Sequence, residues 1–188
     1  MWWVELLNSI VALLNGGAGG GGGAYESIAT ATPSGVSTTT FSSIPSTYVA
    51  LQIRISTVFA ANGNSISLRL NGDTAQNYTR HVLYGDGTSA SASGVATGFG
   101  LTGADVLGAA VGGSTTYPAT SIVDLLDYTS ANKKTIRAFS GVDKNGSGEV
   151  DLYSSLWTGT AAVNSITVYS GTNFAAGTTI SLYGIKGA

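Results

Sequence analysis

Leu51-Gln52-Ile53-Arg54-Ile55-Ser56 and Ser65-Ile66-Ser67-Leu68-Arg69-Leu70-Asn71-Gly72-Asp73 decide the fold of this chain. In both runs apolar residues alternate with polar ones, so an extended backbone gives each an apolar side and a polar side. The Asn-Gly pair that closes the second run supplies positive φ at low steric cost, as a tight hairpin requires. Working outward, Ile166 and Val168 alternate with Ser165, Thr167 and Tyr169, and Ile180 and Leu182 alternate with Thr179 and Ser181. Turn chemistry separates such runs at Ile44-Pro45-Ser46, Asn62-Gly63-Asn64, Asn145-Gly146 and Ser170-Gly171. The pattern predicts about ten short strands, near 25–32, 36–42, 48–58, 65–71, 77–84, 119–128, 134–142, 149–157, 163–170 and 178–186. No long helix is expected after residue 24. The expected fold is all-β, an antiparallel β-sandwich or jelly roll.

One stretch resists that reading. Gly85–Pro118 is rich in Gly, Ser, Ala and Thr, with Val95, Phe99, Leu101, Val106, Leu107 and Val111 as its apolar anchors. A connection this long is uncommon unless it serves a contact. It is expected to be an excursion that packs on a neighbouring subunit or partner and carries one or two short strands; a plain surface loop is the alternative.

Ahead of the sandwich the sequence changes character. Residues 1–15 read as an anchoring helix, 16–24 as a Gly-rich linker and 25–188 as the sandwich domain. On a helical wheel Glu5, Asn8, Ser9, Ala12 and Asn15 share one wedge. Trp2, Trp3, Val4, Leu6, Leu7, Ile10, Val11, Leu13 and Leu14 fill the rest, an arc wider than the stripe of a surface helix. Such a helix spans roughly 21 Å, short of the roughly 30 Å hydrocarbon core of a bilayer. It also lacks the basic flank and cleavage site of a secretory signal. Docking into another protein, or self-association, suits an apolar segment on a glycine tether whose reach is about 15 Å. The anchoring residues expected are Trp2, Trp3, Leu6, Leu7, Ile10, Val11, Leu13 and Leu14. A cleaved signal, a membrane-surface helix and an ordinary first helix of the domain stay open as alternatives.

Composition narrows the function classes. Only 10% of the 188 residues are charged, the formal net charge is -2 and there are no cysteines. Eight scattered basic residues give no electrostatic footprint for nucleic acid. No disulfide framework or thiolate metal site is available.

Few residues carry chemistry. The only histidine, His81, falls in Tyr78-Thr79-Arg80-His81-Val82-Leu83-Tyr84, where it reads as a strand residue sharing a side with Thr79 and Leu83. No nucleophile-elbow motif accompanies it. Paired carboxylates would suit glycoside hydrolysis. Asp124 and Asp127, however, fall on opposite sides of a strand, and Glu149 and Asp151 are expected to be solvated on a hairpin arm. Asp143-Lys144-Asn145-Gly146-Ser147-Gly148-Glu149-Val150-Asp151 matches a calcium-loop template through Asp143, Asn145, Ser147 and Asp151. Its twelfth position is Ser154 instead of a bidentate Glu, and its flanks read as strands, so a hairpin turn is the expectation. Tyr84, Tyr117, Tyr153, Trp157 and Tyr169 are candidates for a sugar-stacking platform, with Trp157 read as core. Neither a metal nor a cofactor is expected.

Several phrases resemble a family of β-rich structural proteins of tailed bacteriophages. They are Tyr25-Glu26-Ser27-Ile28-Ala29, then Phe41-Ser42-Ser43-Ile44-Pro45 with Tyr48 and Leu51-Gln52-Ile53-Arg54. Leu68-Arg69-Leu70-Asn71-Gly72-Asp73 with Asn77-Tyr78, Leu126-Asp127-Tyr128 with Lys133-Lys134, and Leu156-Trp157 follow. The last are Ala162-Val163-Asn164-Ser165-Ile166 and Leu182-Tyr183-Gly184-Ile185-Lys186-Gly187. The resemblance covers residues 25–187 and leaves out the Trp-rich start. It implies a non-enzymatic sandwich module on the virion surface, made in the host cytoplasm, as a capsid decoration, head-fibre or tail-fibre subunit. The expected partners are other virion proteins, a major capsid or a tail or neck protein, and the expected state is a homotrimer packed through the anchoring helices. The alternative is a tail-associated adhesin that binds host surface carbohydrate.

Overall fold

Alternation of apolar and polar residues becomes pleated strands wherever the turns let neighbours pair, and the computed structural model has twelve of them among the described residues. It describes residues 23–62, 64–98, 100–108 and 114–187. Residues 1–15, with every expected anchoring residue, and 16–22 of the linker lie outside the described residues, as do Phe99 and Val111. In chain order the strands are β1 (Tyr25–Ala31), β2 (Thr38–Phe41), β3 (Ala50–Thr57), β4 (Ile66–Leu70), β5 (Tyr78–Gly85) and β6 (Ala90–Val95). They continue with β7 (Ala104–Leu107), β8 (Ala119–Leu126), β9 (Lys134–Asp143), β10 (Gly148–Trp157), β11 (Ile166–Ser170) and β12 (Thr179–Ile185). Two antiparallel sheets result, an eight-stranded one in the order β1-β12-β3-β8-β9-β10-β5-β6 and a four-stranded one in the order β2-β11-β4-β7. The chain is an antiparallel β-sandwich. Among the described residues no helix is long and apolar enough to cross a membrane.

The core lies between the sheets, where Leu51, Ile53 and Ile55 of β3 face Ile66, Leu68 and Leu70 of β4 and Ile166 and Val168 of β11. Two polar groups fix one end of the sandwich. Asp73 accepts hydrogen bonds from the Trp157 indole (2.7 Å), the Asn77 amide (2.9 Å) and the Ala75 backbone (2.9 Å). Burial works against its charge, yet these donors outweigh it and hold the carboxyl below its usual value. At the same end the Tyr128 hydroxyl donates to the Pro45 carbonyl.

Gly85–Pro118 carries two short strands, as expected, and they complete the chain's own sandwich: β6 joins one edge of the large sheet and β7 one edge of the small sheet. Val106 and Leu107 are buried in the chain's own core. Pairing with β5 and β4 orders small residues that carry little apolar periodicity of their own.

Candidate functional site

Strand β7 sets the local problem. As an edge of the small sheet it has backbone groups with no ladder partner, and these sit beneath the large sheet where water is scarce. Side chains on the inner face of the large sheet supply the partners. Ser121 of β8 donates to the Val106 carbonyl (2.8 Å), Ser155 of β10 donates to the Asp105 carbonyl (3.4 Å), and Asp151 accepts from the Gly108 N–H (3.3 Å). An inner row of polar residues follows, with Ser121 beside Ser140, Ser140 beside Asp151, and Asp151 beside Tyr84.

That row corrects the sequence reading of Glu149 and Asp151. Asp151 is 1% exposed, and Glu149 is half-buried beside it. Burial, reinforced by a hydrogen bond to Asp151 and by its charge, pushes the Glu149 carboxyl up to about 7. The Tyr153 hydroxyl donates to Asp151 (3.1 Å), and burial together with that carboxylate raises the phenol far above its ordinary value. Arg80 pairs with Asp105, which also accepts from Ser67 at 2.6 Å. These groups line a cleft of about 390 Å³ that also takes in Tyr84 and Ser93. Among the described residues, the buried polar atoms without a partner are Asp151 Oδ1, Ser140 Oγ and Arg80 Nε, all on the inner sides of β10, β9 and β5.

The calcium template dissolves into a hairpin. Asp143 accepts the Asn145 N–H at 2.8 Å, and Asn145 and Gly146 take positive φ of 58° and 109°. Asp151, the template's ninth residue, points into the cleft and leaves Asp143, Asn145 and Ser147 at the turn. No group of three or more metal-ligating side chains forms among the described residues. Asp124 bonds Gln52 on the outer face, while Asp127 lies past the end of β8 with φ 51°. Of the aromatic candidates only Tyr84 and Tyr153 share a site, Tyr169 stacks under Arg69 (3.9 Å), and Trp157 is core.

The opposite side of the same strands is unlike any reading of the sequence above. Because side chains alternate, the residues next to the polar inner row point out of the sandwich. They are Leu83 of β5, Leu152 of β10, Phe139 of β9 and Ile122 of β8, which lie side by side in one cross-strand row. They are 46–57% exposed, and Val150 beside them is 51% exposed. Together they present roughly 500 Å² of apolar surface, the upper range for the largest patch of an ordinary monomer. Flanking them, His81, Ser154, Arg137 and Asp124 form a polar row. A groove of about 460 Å³ runs alongside, lined by His81, Leu83, Ala92, Gly94, Leu152 and Ser154.

No protein-family model matches this chain, and no curated protein does. Among solved structures it is similar to the galectin LEC-6 of Caenorhabditis elegans, with 10% identity, a TM-score of 0.32, and coverage of 84% of this chain and 96% of that one.

Proposed function

We propose that this chain is a non-enzymatic structural protein of a bacteriophage particle, a capsid decoration or head-fibre subunit. Residues 1–15 hold it to another virion protein or gather three copies about an axis, and the sandwich stands on the particle surface. One observation carries the reading as an assembly module. The apolar row Leu83-Leu152-Phe139-Ile122 is exposed although nothing in the fold requires apolar residues there. Side chains at those positions touch neither β7 nor the core, so Thr or Lys would serve the monomer equally well. Large uncovered apolar patches mark surfaces that another macromolecule covers. The resemblance over residues 25–187 supports the bacteriophage class.

Location and copy number in a particle reconstruction test this directly. Many copies on the shell lattice are expected, and deletion of residues 1–15 should remove them while leaving a folded sandwich. Normal incorporation of the truncated chain would refute the anchor.

The cleft favours a second reading, the tail adhesin. Asp151 Oδ1 and Arg80 Nε, an acceptor and a donor without partners among the described residues, beside the ring of Tyr84, suit a hydroxyl-rich ligand such as a sugar. Selective binding on a glycan array, lost with Asp151→Asn, would move the assignment to that role.

A further inference from the structure

We infer that the outer face of β5, β10, β9 and β8 pairs with the same face of a second copy of this chain. The two copies are related by a two-fold axis that runs parallel to the strands between β10 and β9. This rests on the reading of the apolar row as an assembly surface and names its occupant.

The order of residues across the four strands makes the face self-complementary. An axis between β10 and β9 lays β10 of one copy over β9 of the other and β5 over β8. In the apolar row, Leu152 then meets Phe139 of the second copy, and Leu83 meets Ile122 of the second copy. One row away, His81 meets Asp124 and Ser154 meets Arg137, so no like charges oppose each other and one basic group faces a carboxylate. One row to the other side, Val150 meets Gly141 and Gly85 meets Thr120, a larger side chain over a smaller one in each case. Apolar meets apolar in the first row, no like charges meet in the second, and large meets small in the third.

The size agrees with the order. Roughly 500 Å² of apolar surface per copy, with the flanking polar rows, approaches the roughly 800 Å² per partner of a standard stable interface. Facing sheets pack about 10 Å apart with strands within about 30° of each other, so the match holds best on these four central strands. Two-fold pairing of one patch with itself is also the commonest oligomer geometry. It is compatible with a three-fold contact through residues 1–15, since the copies paired by their sheets then belong to neighbouring trimers.

The test is charge rescue between Leu83 and Ile122. Within one chain they stand three strand spacings apart, about 14 Å, too far for their side chains to form an ion pair. Across the proposed axis they touch. Sedimentation velocity on the full chain should show self-association in the wild type. Ile122→Glu should halve the assembly mass, dimer to monomer or, with a three-fold anchor, hexamer to trimer. Adding Leu83→Lys to Ile122→Glu should restore the wild-type mass, whereas Leu83→Lys alone should disrupt it. Both positions are exposed in the single chain, so all variants, compared with the wild type at a dilution where each is dissociated, should melt within about 2 °C of it. Unchanged mass in Ile122→Glu, or failure of the double variant to recover, overturns the pairing. If Ile122→Glu leaves solution mass unchanged but abolishes incorporation into particles, a different virion protein covers the row. In that case this inference fails and the proposed function stands.

Discussion

The two halves of the large sheet's outer face are built on different terms. On β1, β12 and β3 every prominent group has a partner within the chain. The Arg54 guanidinium sits 4.7 Å from the ring centre of Tyr183 and 5.0 Å from that of Tyr25, and its Nε donates to Gln52 at 2.9 Å. Gln52 in turn donates to Asp124 at 2.9 Å, and Thr30 bonds Ser181 at 2.9 Å. On β8, β9, β10 and β5 the same face shows Ile122, Phe139, Leu152 and Leu83 to solvent. The first half is complete as a monomer surface; the second is completed by something else. The difference separates residues kept for folding from residues kept for assembly.

Phe139→Glu should have the largest effect. Placed in the middle of the apolar row, the charge should lower incorporation into particles by at least 10-fold, since a desolvated unpaired carboxylate costs several kcal/mol. The thermal midpoint of the dissociated monomer should move by less than about 2 °C, because the side chain is already 57% exposed. Quantitative particle composition and calorimetry report the two halves of that statement.

On the reverse side of the bare half, Glu149→Gln should give a pH-dependent gain. A carboxyl pushed up to about 7 binds more protons folded than unfolded between its ordinary value and 7, so its contribution falls as pH rises through that window. Above pH 7 the ionised Glu149 beside buried Asp151 opposes folding. The variant should therefore be more stable than wild type by about 1 kcal/mol at pH 8 and equal to it near pH 4. Equal stability at both pH values in urea titrations would show that the two carboxyls do not interact.

The smallest effect belongs to the finished half. Arg54→Ala removes the ring stacking and leaves Gln52 Oε1 without its donor, which should cost about 1 kcal/mol of stability with unchanged incorporation. A loss of incorporation matching that of Phe139→Glu would erase the distinction between the halves.

Strand positions were legible because period-two runs and Asn-Gly turns are local signals. β6 and β7 were not, since Ala90–Val95 and Ala104–Leu107 are small-residue edges ordered by their neighbours. Trp157 read correctly as core, although its hydrogen bond to Asp73 follows only from the topology. The inner and outer sides of β10 were hidden for a sharper reason. Alternation says that Glu149 and Asp151 share one side and Val150 and Leu152 the other, but not which side faces the core. Hydrophobicity alone turns Asp151 outward. What turns it inward is the Gly108 N–H on the edge of a strand more than 40 residues earlier. A sequence read without that edge has no signal for the cleft or for the apolar row it forces outward.

Hydroxyl-radical footprinting of the full chain, free as a dissociated monomer at high dilution and in its assembled particle, tests the division most directly. Assembly should protect Leu83, Phe139 and Leu152 while Tyr25 and Tyr183 keep their reactivity. Protection of the two tyrosines, with Phe139 and Leu152 as reactive in the particle as in the free chain, would contradict it.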